Sequence, residues 1–190
     1  MNFGNNVKIH DEVFGDKKNP TILLNSGAGE LGGTSWPDEF CEELAAKGYF
    51  VIRYDYRDTG LSEAVDYEKN PYNLLDLAQD AVKILDKHKI DKAYFLGFSM
   101  GGQLSQIAAA NFPERVKGVI LFGTSADFRP GFDSFEGKYN NNALSDPDRD
   151  YVKFVTEKID INSLTEEQQV ERYVKRWMML AATNDSKIVE

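Results

Sequence analysis

Ala93-Tyr94-Phe95-Leu96-Gly97-Phe98-Ser99-Met100-Gly101-Gly102 is the stretch on which the fold turns. Ala93 to Leu96 is a short apolar run of the kind that forms a strand buried on both faces. From Met100 the sequence reads as a helix as far as Asn111, stopped by Pro113, which cannot continue one. Strand therefore passes into helix at Ser99, inside a Gly-x-Ser-x-Gly frame. A serine in that setting takes a strained backbone conformation, and the residues two places either side must be small so that strand and helix can close together. The helix N-terminus behind it favours negative charge developing in front of it. Ser99 is thus a candidate nucleophile. The plain alternative is a glycine-rich turn with an incidental serine.

The same alternation runs outward in both directions. Val7 to Phe14 alternates in part and ends at the turn signal Gly15-Asp16, before the uniformly apolar Thr21-Ile22-Leu23-Leu24. A glycine-rich loop, Gly27 to Gly33, leads to a helix expected to start near Ser35-Trp36-Pro37-Asp38-Glu39. Proline suits a first turn and acids there complement the dipole. Phe40, Leu44 and Ala45 form its expected apolar stripe, and Gly48 closes it. Tyr49 to Ile52 is another strand. Leu74, Ala78, Ala81 and Leu85 fall at helical period between Tyr72 and Lys87, and Val116 to Phe122 is a further core strand. Strands alternating with helices imply an α/β fold, a mainly parallel sheet with flanking helices.

Beyond about Asp127 the rhythm changes. Arg129 to Ser145 is rich in Gly, Asn and Asp and reads as a long surface loop. Asp146-Pro147 opens a short helix with Tyr151, Phe154, Val155 and Ile159 inward. Thr165-Glu166-Glu167-Gln168 matches a capping box ahead of a helix whose apolar residues are Val170, Val174, Trp177, Met178 and Ala181. The expected organisation is a core over 1–128 and a helical segment over 129–190.

Composition removes several classes of function. The 190 residues carry 22 basic and 31 acidic side chains, a net −9. That balance disfavours a nucleic-acid partner, whose phosphates need clustered Lys and Arg. Hydrophobic content of 42% with 12% aromatics suits a globular core and not a disordered chain. No run approaches the ~18 apolar residues of a membrane span, and Met1 to Glu12 lacks the order of a secretory signal. Cys41, the lone cysteine, rules out an internal disulfide and a multi-cysteine zinc site; it reads as a packing residue. The expectation is a soluble, cytoplasmic chain. Without a secretion signal, the Asn184-Asp185-Ser186 glycosylation spacing means little.

With these residues in order, the chain resembles the α/β-hydrolase family over roughly Val7 to Asp127. Trp36-Pro37-Asp38-Glu39-Phe40 and Arg53-Tyr54-Asp55-Tyr56-Arg57-Asp58-Thr59-Gly60-Leu61-Ser62 look most like the branch that contains aclacinomycin methyl esterase. Many relatives have Arg-Gly where Arg57-Asp58 stands here. The resemblance implies a serine esterase acting on small or hydrophobic esters, with no cofactor and no metal. An acyltransferase or perhydrolase could use the same elbow, since only the acyl acceptor changes. Dehalogenases and epoxide hydrolases of this fold resemble the pattern with aspartate at position 99, and are disfavoured. An oxyanion hole is implied from two backbone N–H groups, those of Met100 and Ala28. Relatives carry His-Gly-x where this chain has Ser26-Gly27-Ala28.

A serine nucleophile needs a base, and the base an orienting acid. The family places its histidine after the last strand, and neither His10 nor His88 lies there. His88 instead closes a helix, where a cation complements the dipole. Asp127, just past the strand ending at Phe122, occupies a position that supplies the acid in some relatives. Asp55, Arg57 and Asp58 tempt an acid–base assignment, but such groups in a glycine turn usually bind backbone and one another. The expectation is that the catalytic histidine, and with it the usual acid, are missing from this chain, as in a fragment or a natural variant. A missing half-sheet would leave an exposed parallel edge and favour self-association.

Two other classes compete. Gly27-Ala28-Gly29-Glu30-Leu31-Gly32 matches the dinucleotide pattern Gly-x-Gly-x-x-Gly, and Asp55 ends the next strand. That chemistry needs the loop to open directly into a helix, whereas Trp36-Pro37 delays the helix and the acid arrives late. A non-catalytic domain using the same cleft for ligand binding is the other.

Overall fold

Five strands pair into one sheet in the computed structural model, which describes residues 7–129, 133, 149–160 and 163–180. They are β1 (Asp11–Phe14), β2 (Thr21–Asn25), β3 (Phe50–Tyr54), β4 (Ala93–Phe98) and β5 (Val116–Phe122). Their order across the sheet is β1-β3-β2-β4-β5. β1 runs antiparallel to β3, and the other pairings are parallel. The helices of this part are α1 (Gly32–Ser35), α2 (Asp38–Ala46), α3 (Leu74–Lys87) and α4 (Met100–Asn111), with a single 3-10 turn at Pro113–Arg115. The alternation expected from the sequence is therefore present, and only the short β1 breaks the parallel rule.

Two apolar layers flank the sheet. Leu23, Ile52 and Phe95 point to one side, against Ala78, Ala81 and Leu85 of α3 and Leu104 and Ala108 of α4. Ile22, Leu24, Val51 and Leu96 point to the other, against Trp36 and Cys41. Period-2 alternation along central strands sorts them this way.

α2 differs from its expected face. Pro37 is its N-cap, and Cys41 is fully buried while Phe40 stays 37% exposed, its ring stacked on Trp36 at 5.5 Å. Burial pushes the Cys41 thiol up to about 11, consistent with a packing residue that does not ionise readily. α3 has a cap that the periodicity did not reveal: Asn73 accepts from the Leu75 N–H at 2.8 Å, and Asp76 accepts from the Asn73 N–H at 2.8 Å. That reciprocal pair satisfies two of the amides a helix start leaves open.

The chain divides into two compact units, Met1–Ala126 and Asp127–Glu190. The second contains α5 (Arg149–Thr156) and α6 (Glu166–Leu180). The capping box forms, with Gln168 accepting the Thr165 N–H at 2.9 Å and Thr165 accepting the Gln168 N–H at 3.3 Å. Arg172 joins the two helices, stacking on the Phe154 ring at 4.2 Å and donating to the Phe154 carbonyl at 2.9 Å. Val170, expected inward, is 57% exposed, and Ile159 lies outside α5 and is exposed. Most of the 129–145 loop, the Asp146-Pro147 start, the side chains of Val155, Trp177 and Met178, and residues 181–190 lie outside the described residues. Among the described residues no helix is long and apolar enough to cross a membrane.

Candidate active site

The sheet order creates the site. From β2 the chain crosses to β3 on one side, and from β4 it crosses to β5 on the other. Adjacent strands whose following connections diverge leave a crevice beyond their carboxyl ends, where α/β sheets bind ligands. Here those strands are β2 and β4, with Asn25 beside Gly97. The loop after β2 carries Ala28 and the turn after β4 carries Met100, each three residues beyond that shared level.

Ser99 stands at the mouth of this crevice with φ 52° and ψ −117°. A non-glycine residue held there is strained, and it persists because strand and helix close tightly round it. A Cβ on Gly97 would come within 2.3 Å of the Gly101 carbonyl oxygen, and one on Gly101 within 2.1 Å of the Asn25 carbonyl oxygen. The two glycines thus let α4 sit against the ends of β4 and β2. Among the described residues, no backbone carbonyl accepts the Ala28 or the Met100 N–H.

A buried polar network braces this junction. The Tyr54 hydroxyl donates to Asn25 Oδ1 at 2.6 Å, and Asn25 Nδ2 donates to Ser105 Oγ at 2.9 Å. Ser105 in turn donates to the Gly101 carbonyl at 2.8 Å. Tyr56 donates to the Ser26 carbonyl at 2.8 Å, at the root of the loop. Burial drives both tyrosines well above the ordinary phenol range, so both are donors. Sequence reasoning passed over these residues, since nothing local marks contacts between strands.

The charged turn after β3 is structural. Asp55 accepts the Gly32 N–H at 2.9 Å and the Leu61 N–H at 3.0 Å. Its carboxylate therefore ties the far end of the glycine loop to the turn, where a dinucleotide site would offer it to a ribose. Asp58, with φ 63°, accepts the Val65 N–H. The acids bind backbone as expected, but Arg57, expected to pair within the turn, instead reaches the buried Asp80 of α3 at 2.6 Å.

Neither histidine approaches Ser99. His88 Nε2 lies 2.6 Å from Asp11 Oδ2, and His10 immediately precedes β1. β1 stands three strand steps from β4, roughly 14 Å at the usual spacing. Asp127 is engaged by the Arg129 guanidinium, at 2.9 Å to Oδ1 and 2.6 Å to Oδ2. That cation holds its carboxyl down at about 2.

Comparison with known proteins bears on the fold. The chain is 35% identical over 178 residues to the rhodomycin D methylesterases of a Streptomyces species (strain C5) and of Streptomyces peucetius. The match takes in 92% of this chain and 59% of each relative, so the chain spans about three fifths of their length. A crystal structure of a hydrolase from Pseudomonas aeruginosa superposes with a TM-score of 0.63 at 20% identity, covering 96% of this chain and 64% of that one. Residues 20–185 match the alpha/beta hydrolase fold. With that match added to the switch-point crevice and the strained serine, the chain belongs to the alpha/beta hydrolase fold family.

Proposed function

We propose that these 190 residues are the nucleophile-bearing part of a serine carboxylic ester hydrolase. The observation that carries this is Ser99, strained at the strand–helix junction over the crevice. Its Oγ adds to the ester carbonyl, and the N–H groups of Ala28 and Met100 receive the oxyanion. Each such donor is worth about 3 kcal/mol to a tetrahedral intermediate. Collapse breaks the ester C–O bond, the leaving alcohol takes the proton that the base removed from Ser99, and water then hydrolyses the acyl-enzyme. By similarity to the methylesterases, the substrate is a methyl ester of a small or hydrophobic acid. With His10 and His88 at the far edge of the sheet, beside β1, the base comes from sequence outside these residues. Asp127 is the acid candidate within them, and 129–190 form a cap segment.

The test is fluorophosphonate labelling of the folded chain with and without added imidazole, which stands in for an absent base. Expected is an imidazole-dependent adduct at Ser99, mapped by peptide mass spectrometry and abolished by Ser99→Ala. Folded protein that takes no adduct under either condition would remove the nucleophile. The placement of the histidines then favours a non-catalytic domain that binds ligands in the crevice.

The outer edge of β5 bears on association. β5 ends the sheet, and Val119, Ile120, Leu121 and Phe122 are each 39–50% exposed on it. Gly118 to Phe122 contains no charge and no proline, the usual protections of an edge strand. At net −9 two copies repel broadly, so this uncharged strip is the surface on which they can meet. A two-fold axis sets the same strand against itself in antiparallel register. Sedimentation is expected to show a concentration-dependent dimer, strengthened by salt and lost in Ile120→Lys; a monomer at every concentration refutes it.

A further inference from the structure

The end of β5 and the residues just after it grip Ser99 on both of its peptide bonds. The Ser99 N–H donates to the Phe122 carbonyl at 3.0 Å, and the Ser99 carbonyl accepts the Thr124 hydroxyl at 2.7 Å. That carbonyl also accepts the ordinary helix bonds from Gly102 N–H at 3.0 Å and Gln103 N–H at 3.3 Å. The hydroxyl contact is the shortest of the three, and it alone comes from outside α4. Space is reserved for it: a Cβ on Gly102 would stand 2.4 Å from Thr124 Cγ2 and 2.7 Å from its Oγ1. The second glycine after Met100 therefore serves Thr124 and not the strand–helix closure.

We infer that Thr124 is a positioning residue for the nucleophile and for the Met100 amide, an inference that rests on Ser99 being the nucleophile. The Ser99 carbonyl and the Met100 N–H belong to one planar trans peptide and point in opposite directions. Holding the oxygen on the β5 side fixes where the hydrogen points. A hydrogen bond at the oxygen also polarises the amide and makes its N–H a stronger donor. The strained φ and ψ of Ser99 survive only where the surroundings over-determine them. Phe122 and Thr124 do so from either side of its Cα.

Valine keeps the shape of Thr124 and removes the donor, whereas serine keeps the donor and removes the methyl group. Losing an oxyanion donor outright slows reactions about 10²–10³-fold, and loosening one through a lost neutral hydrogen bond is expected to cost about tenfold. Imidazole-assisted labelling of Thr124→Val is therefore expected to slow by that factor, with the half-saturating probe concentration unchanged. Thr124→Ser should stay near the unsubstituted rate. The Met100 amide nitrogen resonance should move upfield in the valine variant and return in the serine variant, whether or not the chain labels.

Three outcomes overturn the inference while leaving Ser99 as the nucleophile, and a fourth removes both. The valine variant could label at the unsubstituted rate, or the serine variant could be as slow as valine. The valine variant could instead lose its cooperative melt while serine keeps it, which reassigns the hydroxyl to folding. If the unsubstituted chain takes no adduct, the nucleophile assignment itself fails. A Met100 shift would then mark only a structural bond, and the positioning role falls with the nucleophile.

Discussion

Asp80→Ala is expected to lower the unfolding free energy by about 3–5 kcal/mol in urea melts, the usual cost of removing one partner of a buried ion pair. Asp80 and Arg57 are both buried, with Arg57 Nε and Nη2 at 2.7 and 2.6 Å from the same carboxylate oxygen. Lys83 reaches the other oxygen at 3.4 Å. Truncating the acid strands a guanidinium between α3 and the turn after β3, over the Tyr72 ring at 5.0 Å. Desolvation of the orphaned charge dominates, more than the attraction lost. The double replacement Arg57→Met with Asp80→Leu should consequently recover most of the stability. A loss below about 1 kcal/mol for Asp80→Ala would place the pair among the solvent-screened ones. A double variant as weak as the single one would trace the loss to packing.

The second large effect is expected at Gly101. A Cβ there meets the Asn25 carbonyl oxygen at 2.1 Å and the Ser26 carbonyl oxygen at 2.5 Å. Both are backbone atoms at the end of a central strand, so neither can swing away. Gly101→Ala must push α4 from the sheet, at a cost of about 3 kcal/mol. It also widens the gap between the Ala28 loop and Met100, so Ser99 labelling is expected to fall on the order of 100-fold. Gly33→Ala is the control, since its Cβ would meet only Arg53 side-chain atoms at 3.8 and 3.9 Å. Equal behaviour of the two variants in melting and labelling would refute the close-approach account.

Much of this was legible where the signal is local. Apolar runs bounded by glycine and proline delimited β2, β4, α4 and β5 to within a residue or two, and Thr165 with Gln168 announced the start of α6. Sheet order was not legible, because periodicity says which residues are inward and nothing about which strand lies alongside. The crevice between β2 and β4 therefore emerged only with the structure. α1 is four residues with two glycines, too short and too poor in helix formers to register. Cys41 packs as its residue type suggested, but Phe40, expected in the inner stripe of α2, does not join it, because the small thiol fits against the sheet while the ring stacks on Trp36. Thr124 and Asn25 carry no mark in the sequence, and the motif that holds Tyr54 and Tyr56 does not reveal their partners, since each acts on a separate element.

The loop from Ser26 to Gly32 is held at both ends and open in its middle. Tyr56 fixes the Ser26 carbonyl and Asp55 the Gly32 N–H, while Ala28, Gly29 and Leu31 face solvent and a Cβ on Gly29 would meet nothing within 4 Å. Between the anchors, Glu30 accepts from the Ser35 hydroxyl, and the Leu31 carbonyl accepts the Thr34 and Ser35 N–H groups at 3.2 and 3.0 Å. Such a segment behaves as a cassette: its central residues can change size and charge beside the crevice while its anchors keep the sheet intact. On the proposed esterase reading, substrate preference is tuned here with little demand on folding stability.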